Sequence, residues 1–257
     1  MQRKSKNWSR DELIVAFNLY CRIPFGRIHK ANPDIIDLAK SIGRTPSATA
    51  MKMVNFASLD PCHQKRNVKG LQHIAKLDKQ IWEEFHKDWE SLAFESQQSL
   101  AKLTRKSKEN YALGSSLLES DIPTEARKII RVRLVQSFFR DSVLSSYNYS
   151  CTVCKINLFK MLNASHIIPW SIDKSRRADP TNGLSFCAFH DRAFDRGLIS
   201  VDDKLCIILS KEVKIVNAPK LHKVGLLEIE GKKITPPDRF MPDQMALTYH
   251  REKVFLQ

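Results

Sequence analysis

Four soft ligands in two short pairs constrain this chain more than anything else in it. Cys151-x-x-Cys154 is followed, after residues 155–186, by Cys187-x-x-His190. Three thiolates and an imidazole make a tetrahedral set of the kind that closes around structural zinc. The chain has six cysteines: Cys21, Cys62, Cys151, Cys154, Cys187 and Cys206. An even count also suits disulfides. Cys-x-x-Cys spacing, in a chain whose basic start leads into no apolar stretch, points instead to a reducing compartment and a metal site. The competing reading makes Cys187 or His190 a plain core residue. If the pairs do hold a metal, the stretch between them is a small finger pinned at both ends.

The residues inside that finger are polar at telling places. Ser165-His166-Ile167-Ile168-Pro169-Trp170 reads as a strand end and a rigid turn. Asp179-Pro180-Thr181-Asn182-Gly183 is turn chemistry, and 184–186 suits a second short strand. From His190 the chain reads as a short helix through Asp191 and Asp195, stopped by Gly197. Residues 198–201 and 205–209 suit a hairpin around Asp202-Asp203.

This order of His166, Asn182 and His190-Asp191 between two metal knuckles resembles the HNH (ββα-metal) endonucleases. The wording ASHIIPW, DPTNGL and FHDRAFDRGLIS looks like the bacterial restriction and defence subgroup. The resemblance covers 127–202, and a weaker one touches WSRDELIVAFNLY and TPSATAMKMVNFASLDP near the start. It implies a DNA endonuclease with structural zinc and a catalytic Mg2+ or Mn2+, in restriction or phage defence. It implies that His166 activates water, that Asn182 orients the loop bearing that base and holds its tautomer, and that Asp191 holds the ion. The chain departs from the common pattern at Ser165, where relatives carry Asp or His. His190 is then either the fourth zinc ligand or a ligand of the catalytic ion; Cys187, three residues earlier, favours zinc. Asp195 reads as a second carboxylate near the ion or as a local cap with Arg196, the cap being preferred. The alternative functions are a zinc-stabilised DNA-binding regulator that does not cut and a toxin-like nuclease of little specificity. The family also admits a homodimer, with a contact expected near Trp82 and Trp89.

The rest of the chain agrees with a polyanionic partner. Its formal net charge is +14, from 42 Lys+Arg against 28 Asp+Glu. Ser9, Pro33-Asp34 and Thr45-Pro46 open three short helices, with Gly43 closing the second. A helix-turn-helix reader using Arg44, Thr45, Ser47, Thr49 and Lys52 is one reading; a packing or dimerisation module fits slightly better. Residues 68–118 suggest one long amphipathic helix with Ile81, Trp82, Phe85 and Trp89 on a stripe, and 111–121 suggest a boundary. A further helix from Pro123 carries Arg127, Lys128, Arg131, Arg133 and Arg140. Phosphate contact is expected from Arg131, Lys174, Arg176, Arg177 and Arg192. A small hairpin around Glu230-Gly231 and a final helix, with no chemistry for His250, complete the chain. The expected architecture is α+β: a helical region over 1–66, a connecting helix or linker over 67–122, an HNH domain over 123–210, and a hairpin-and-helix extension over 211–257. No apolar run suits a membrane span, and a cytoplasmic location is expected.

Overall fold

The computed structural model describes residues 7–71, 74–109 and 124–257. Its helices are α1 (Arg10–Arg22), α2 (Pro33–Ile42), α3 (Pro46–Ala57), α4 (Pro61–Lys65), α5 (Lys76–Lys87), α6 (Trp89–Glu109), α7 (Thr124–Ser146), α8 (Ala188–Asp195), α9 (Lys220–Gly225) and α10 (Gln244–Lys253). Its strands are β1 (Leu162–His166), β2 (Gly183–Cys187), β3 (Ile199–Val201) and β4 (Ile207–Leu209). Contacts divide the chain into two units between Phe138 and Phe139, inside α7. The side chains of Arg127 and Lys128, and the boundary expected at 111–121, lie outside the described residues.

The first unit is helical, and local chemistry sets its helix ends. Ser9 and Glu12 form a reciprocal capping box at the start of α1. Asn32 and Thr45 cap α2 and α3, each followed by Pro at the first helical position. The single long helix expected after 68 is two. Asp88 accepts from the Ser91 amide at 2.9 Å and the Ser91 hydroxyl at 2.6 Å, and so starts a new helix. Far from linking two parts, α6 packs on α1 and α2. Phe17 lies among the rings of Phe56 (4.9 Å), Trp82 (5.5 Å) and Trp89 (6.1 Å). The aromatic stripe therefore packs into the core, with Ile81, Phe85 and Trp89 buried and Trp82 half-buried.

The cations offered to DNA by α3 and the turn before it also turn inward. Lys52 Nζ pairs with the buried Asp78 carboxylate at 2.8 Å, and Arg44 pairs with Glu12 at 2.8 Å. Thr49 is buried, its hydroxyl donating to the Thr45 carbonyl. Ser47, Ala48 and Met51 are what α3 shows to solvent.

The second unit is built on a two-stranded finger. β1 and β2 run antiparallel with His166 opposite Gly183 and Leu162 opposite Cys187. α8 packs on both strands. Leu162, Leu184, Phe186 and Phe194 are buried among Val143, Leu144, Ile199 and Val201. Burying each such side chain contributes about 2 kcal/mol. Gly183 has no alternative: a Cβ there would lie 2.3 Å from Val143 and 2.9 Å from the Phe139 ring. β3 and β4 form the expected hairpin, with the Asp202 carboxylate accepting from the amides of Lys204 and Cys206. The hairpin expected around Glu230-Gly231 is absent. Its place is taken by a short 3-10 turn (Leu227–Ile229), after which Gly231 and Ile234 donate to the Ile207 and Leu205 carbonyls. The segment extends the β3–β4 sheet because its apolar residue, Ile234, is needed in that core. No helix among the described residues is long and apolar enough to cross a membrane.

Candidate active site and metal centre

The two knuckles meet. The ligand atoms of Cys151, Cys154, Cys187 and His190 all lie within 4.8 Å of one another. Cys154 Sγ is 3.7 Å from Cys187 Sγ, and His190 Nδ1 is 3.2 Å from Cys187 Sγ and 3.6 Å from Cys151 Sγ. Zinc–thiolate bonds of about 2.3 Å place tetrahedral neighbours about 3.8 Å apart, and a thiolate and an imidazole about 3.5 Å apart. The three measured separations match a zinc site, and the four ligand atoms could hold such an ion. His190 Nε2 donates to the Gly225 carbonyl at 3.0 Å, which keeps the proton on that nitrogen and leaves Nδ1 bare toward the sulfurs. Of the two sequence readings, the structure groups His190 with the cysteines.

The thiols already share their protons unevenly. Cys187 is pulled down to about 3, chiefly by the Cys151 thiol donating to it. The same bond, with burial, pushes the Cys151 thiol far up, and burial raises Cys154. A cation replacing these protons relieves the crowding.

On the next part of the finger His166 ends β1, half-buried, its ring stacked on Phe139 at 3.6 Å and 10°. Nε2 lies 3.0 Å from the Arg177 carbonyl oxygen. A carbonyl only accepts, so Nε2 carries the proton and Nδ1 keeps its lone pair. Burial pushes the imidazole below its ordinary pKa and favours this neutral form.

Asn182 fixes the loop that brings Arg177 there. Its Oδ1 accepts from the Ile168 amide at 2.9 Å, and its Nδ2 donates to the Ile168 and Arg176 carbonyls at 3.1 and 3.4 Å. The tautomer expected to be held by Asn182 is thus held by the neighbouring carbonyl, with Asn182 acting one step behind it.

Asp191, in the first turn of α8, faces β1. One carboxylate oxygen accepts from Asn163 Nδ2 at 2.6 Å and the other from the Ser165 hydroxyl. Asp195 lies one helical turn further on the same side of α8. Burial, and then the charge of Asp191, push its carboxyl up, so the two carboxylates feel each other. Asn163 escaped the sequence reading, although strand alternation puts it on the face of Ser165.

The residues expected on phosphates divide. Arg131 pairs with Glu90 at 2.8 Å, in the helical unit. Arg176 pairs with Asp179 and Asp243 at 3.1 and 2.7 Å, and Arg177 Nε donates to the Trp170 carbonyl at 2.9 Å. Lys174 and Arg192 are exposed.

The far end of α8 is held by the C-terminal segment. His250 Nε2 donates to the Phe194 carbonyl at 3.2 Å while Nδ1 accepts from Ser200 Oγ at 2.8 Å. Gly197 ends α8 at φ +68, where a Cβ would lie 2.1 Å from the Val254 carbonyl. The Leu256 amide donates to Gly197.

A hairpin and a helix joined through a Cys3His cluster, with an imidazole at the end of β1 and a carboxylate in the first turn of α8, define a ββα-metal finger. Residues 151–202 match the model of the HNH endonuclease family, and this stretch is an HNH endonuclease domain. The match covers about one fifth of the chain, and it implies nuclease activity with DNA as the substrate. No curated protein matches the chain.

Proposed function

We propose that the protein is a divalent-metal-dependent endonuclease that hydrolyses DNA phosphodiester bonds in restriction or phage defence. The observation that carries the chemistry is the bond from His166 Nε2 to the Arg177 carbonyl, which leaves Nδ1 as a bare base in a neutral ring. In this reading Nδ1 takes a proton from water, and Asn182 keeps the loop that orients the ring in place. Ser165, adjacent to His166 on β1, donates to Asp191, which ties the carboxylate to the strand that ends in the base. Asp191 and Asp195 would hold Mg2+ or Mn2+, for which carboxylate oxygens are suitable hard ligands. When bound, that ion supplies charge stabilisation at the phosphate. Cys151, Cys154, Cys187 and His190 would hold zinc as a structural pin. Lys174 and Arg192, both exposed, would contact phosphates. The defence setting is supported by the sequence resemblance alone.

The missing acid at Ser165 favours the second reading, a DNA-binding regulator that does not cut. Plasmid incubated with zinc-loaded protein separates the two. The nuclease reading expects nicking that needs added Mg2+ or Mn2+ and disappears in His166→Ala and Asp191→Asn. Binding without nicking, or nicking that survives both substitutions, rejects it.

A further inference from the structure

Residues 155–161 join the first knuckle to β1 and expose four large apolar side chains. Ile156 is 36% exposed, Leu158 60%, Phe159 51% and Met161 45%. A solvated loop is rarely so apolar unless something covers it. The loop is not slack. The Cys151 amide donates to the Ile156 carbonyl at 2.8 Å, and the Met161 amide to the Leu158 carbonyl at 2.8 Å. The Phe159 ring is held at its edges, 5.6 Å from Tyr149 and with the Arg140 guanidinium 5.5 Å over it, while half its surface faces water. Each end is anchored, at the cysteine cluster and in β1.

Charge identifies the partner. Lys155 and Lys160 lie in the loop, and no acidic residue occurs between Asp141 and Asp173. An apolar loop whose own charged residues are both cations suits a polyanion with an apolar interior, which describes stacked bases behind phosphates. The placement agrees. Met161 precedes by two residues Asn163, whose amide reaches Asp191, and two residues of strand span about 7 Å.

We infer that the 155–161 loop is a wedge for duplex DNA: Leu158 and Phe159 enter between base steps in a groove while Lys155 and Lys160 neutralise flanking phosphates. This rests on DNA being the substrate. Apolar wedges of this kind partly unstack a step and bend the duplex, at a cost offset by the extra contacts. Such a wedge sets the register of the scissile phosphate without reading sequence through hydrogen bonds.

The test uses the full chain with Ca2+ in place of Mg2+ and a short duplex carrying 2-aminopurine, read by anisotropy and by 2-aminopurine emission. Wild type is expected to bind and to raise the emission as a base unstacks. Leu158→Ala/Phe159→Ala is expected to bind about tenfold more weakly, the loss of about one stacking contact, with an unchanged salt slope and no rise in emission. Leu158→Lys, at the most exposed of the four apolar side chains, discriminates further: a wedge binds more weakly, whereas a merely cationic surface binds more tightly. The inference is overturned if both variants bind as well as wild type, or if wild-type emission stays flat. It is also overturned if light scattering shows a wild-type dimer that Leu158→Lys splits, which would make the loop a contact between copies. If wild type fails to bind the duplex at all, the nuclease reading falls with it.

Discussion

In the helical unit, Lys52 lies on Asp78, Arg44 on Glu12, and Phe17 among Trp82 and Trp89. In the HNH unit, the polar groups of the site keep one side open. His166 is bonded through Nε2 and bare at Nδ1, His190 is bonded through Nε2 and turned to sulfur through Nδ1, and Asp191 gathers donors from β1. Both units look charged and aromatic in sequence. What separates structure from chemistry is whether the partner satisfies a group fully or orients it and leaves a lone pair.

The largest expected effect breaks the comparison at the metal cluster. Zinc removal, or Cys187→Ala, should unfold the HNH unit while the helical unit persists, since zinc in such sets contributes on the order of 10 kcal/mol to folding. Thermal melting should then resolve two transitions, only one of which responds to chelator; a single transition that ignores chelator contradicts the account.

His166→Ala should lower the cleavage rate about 10³-fold with an unchanged melting curve. The helical counterpart is Lys52→Met, which strands the Asp78 carboxylate in the core. It should destabilise the helical unit by about 4 kcal/mol, while cleavage below its melting temperature stays unchanged. A loss of cleavage at low temperature would mean that Lys52 has a role beyond the core.

Smaller effects depend on pH. Burial holds His250 at about 4, below the ordinary value of about 6.5. The folded state therefore resists its protonation. Stability is full above about 6.5 and is lost as pH falls toward 4, by up to about 3 kcal/mol. Denaturant melts of His250→Gln should flatten that slope, and an unaltered slope would exclude His250 as its source. His166 is lowered too, and its neutral form is the base. The acid limb of the cleavage rate should thus lie below pH 6.5, and a limb above it would point to another base.

Local spacing made much of the site readable. Cys-x-x-Cys and Cys-x-x-His are fixed by knuckle geometry, and His166, Asn182 and Asp191 stand in a recognisable order. The rest is unreadable for physical reasons. The acceptors on His166 and His190 are main-chain carbonyls of Arg177 and Gly225, and any residue supplies a carbonyl. Arg44 and Lys52 look like a nucleic-acid face until Glu12 and Asp78 come to them across the fold. His250 and Gly197 matter to α8 only because the C-terminal segment, outside the family match, returns to it.

The central claim is that an imidazole with a bare Nδ1 faces a divalent-ion site at Asp191. Nitrogen-15 NMR of the His166 ring during a Mn2+ titration tests it most directly. The account predicts the Nε2–H tautomer at neutral pH, with ring resonances broadened by substoichiometric Mn2+ in wild type and left sharp in Asp191→Asn. An Nδ1–H tautomer, or a ring signal indifferent to Mn2+ in wild type, would contradict it.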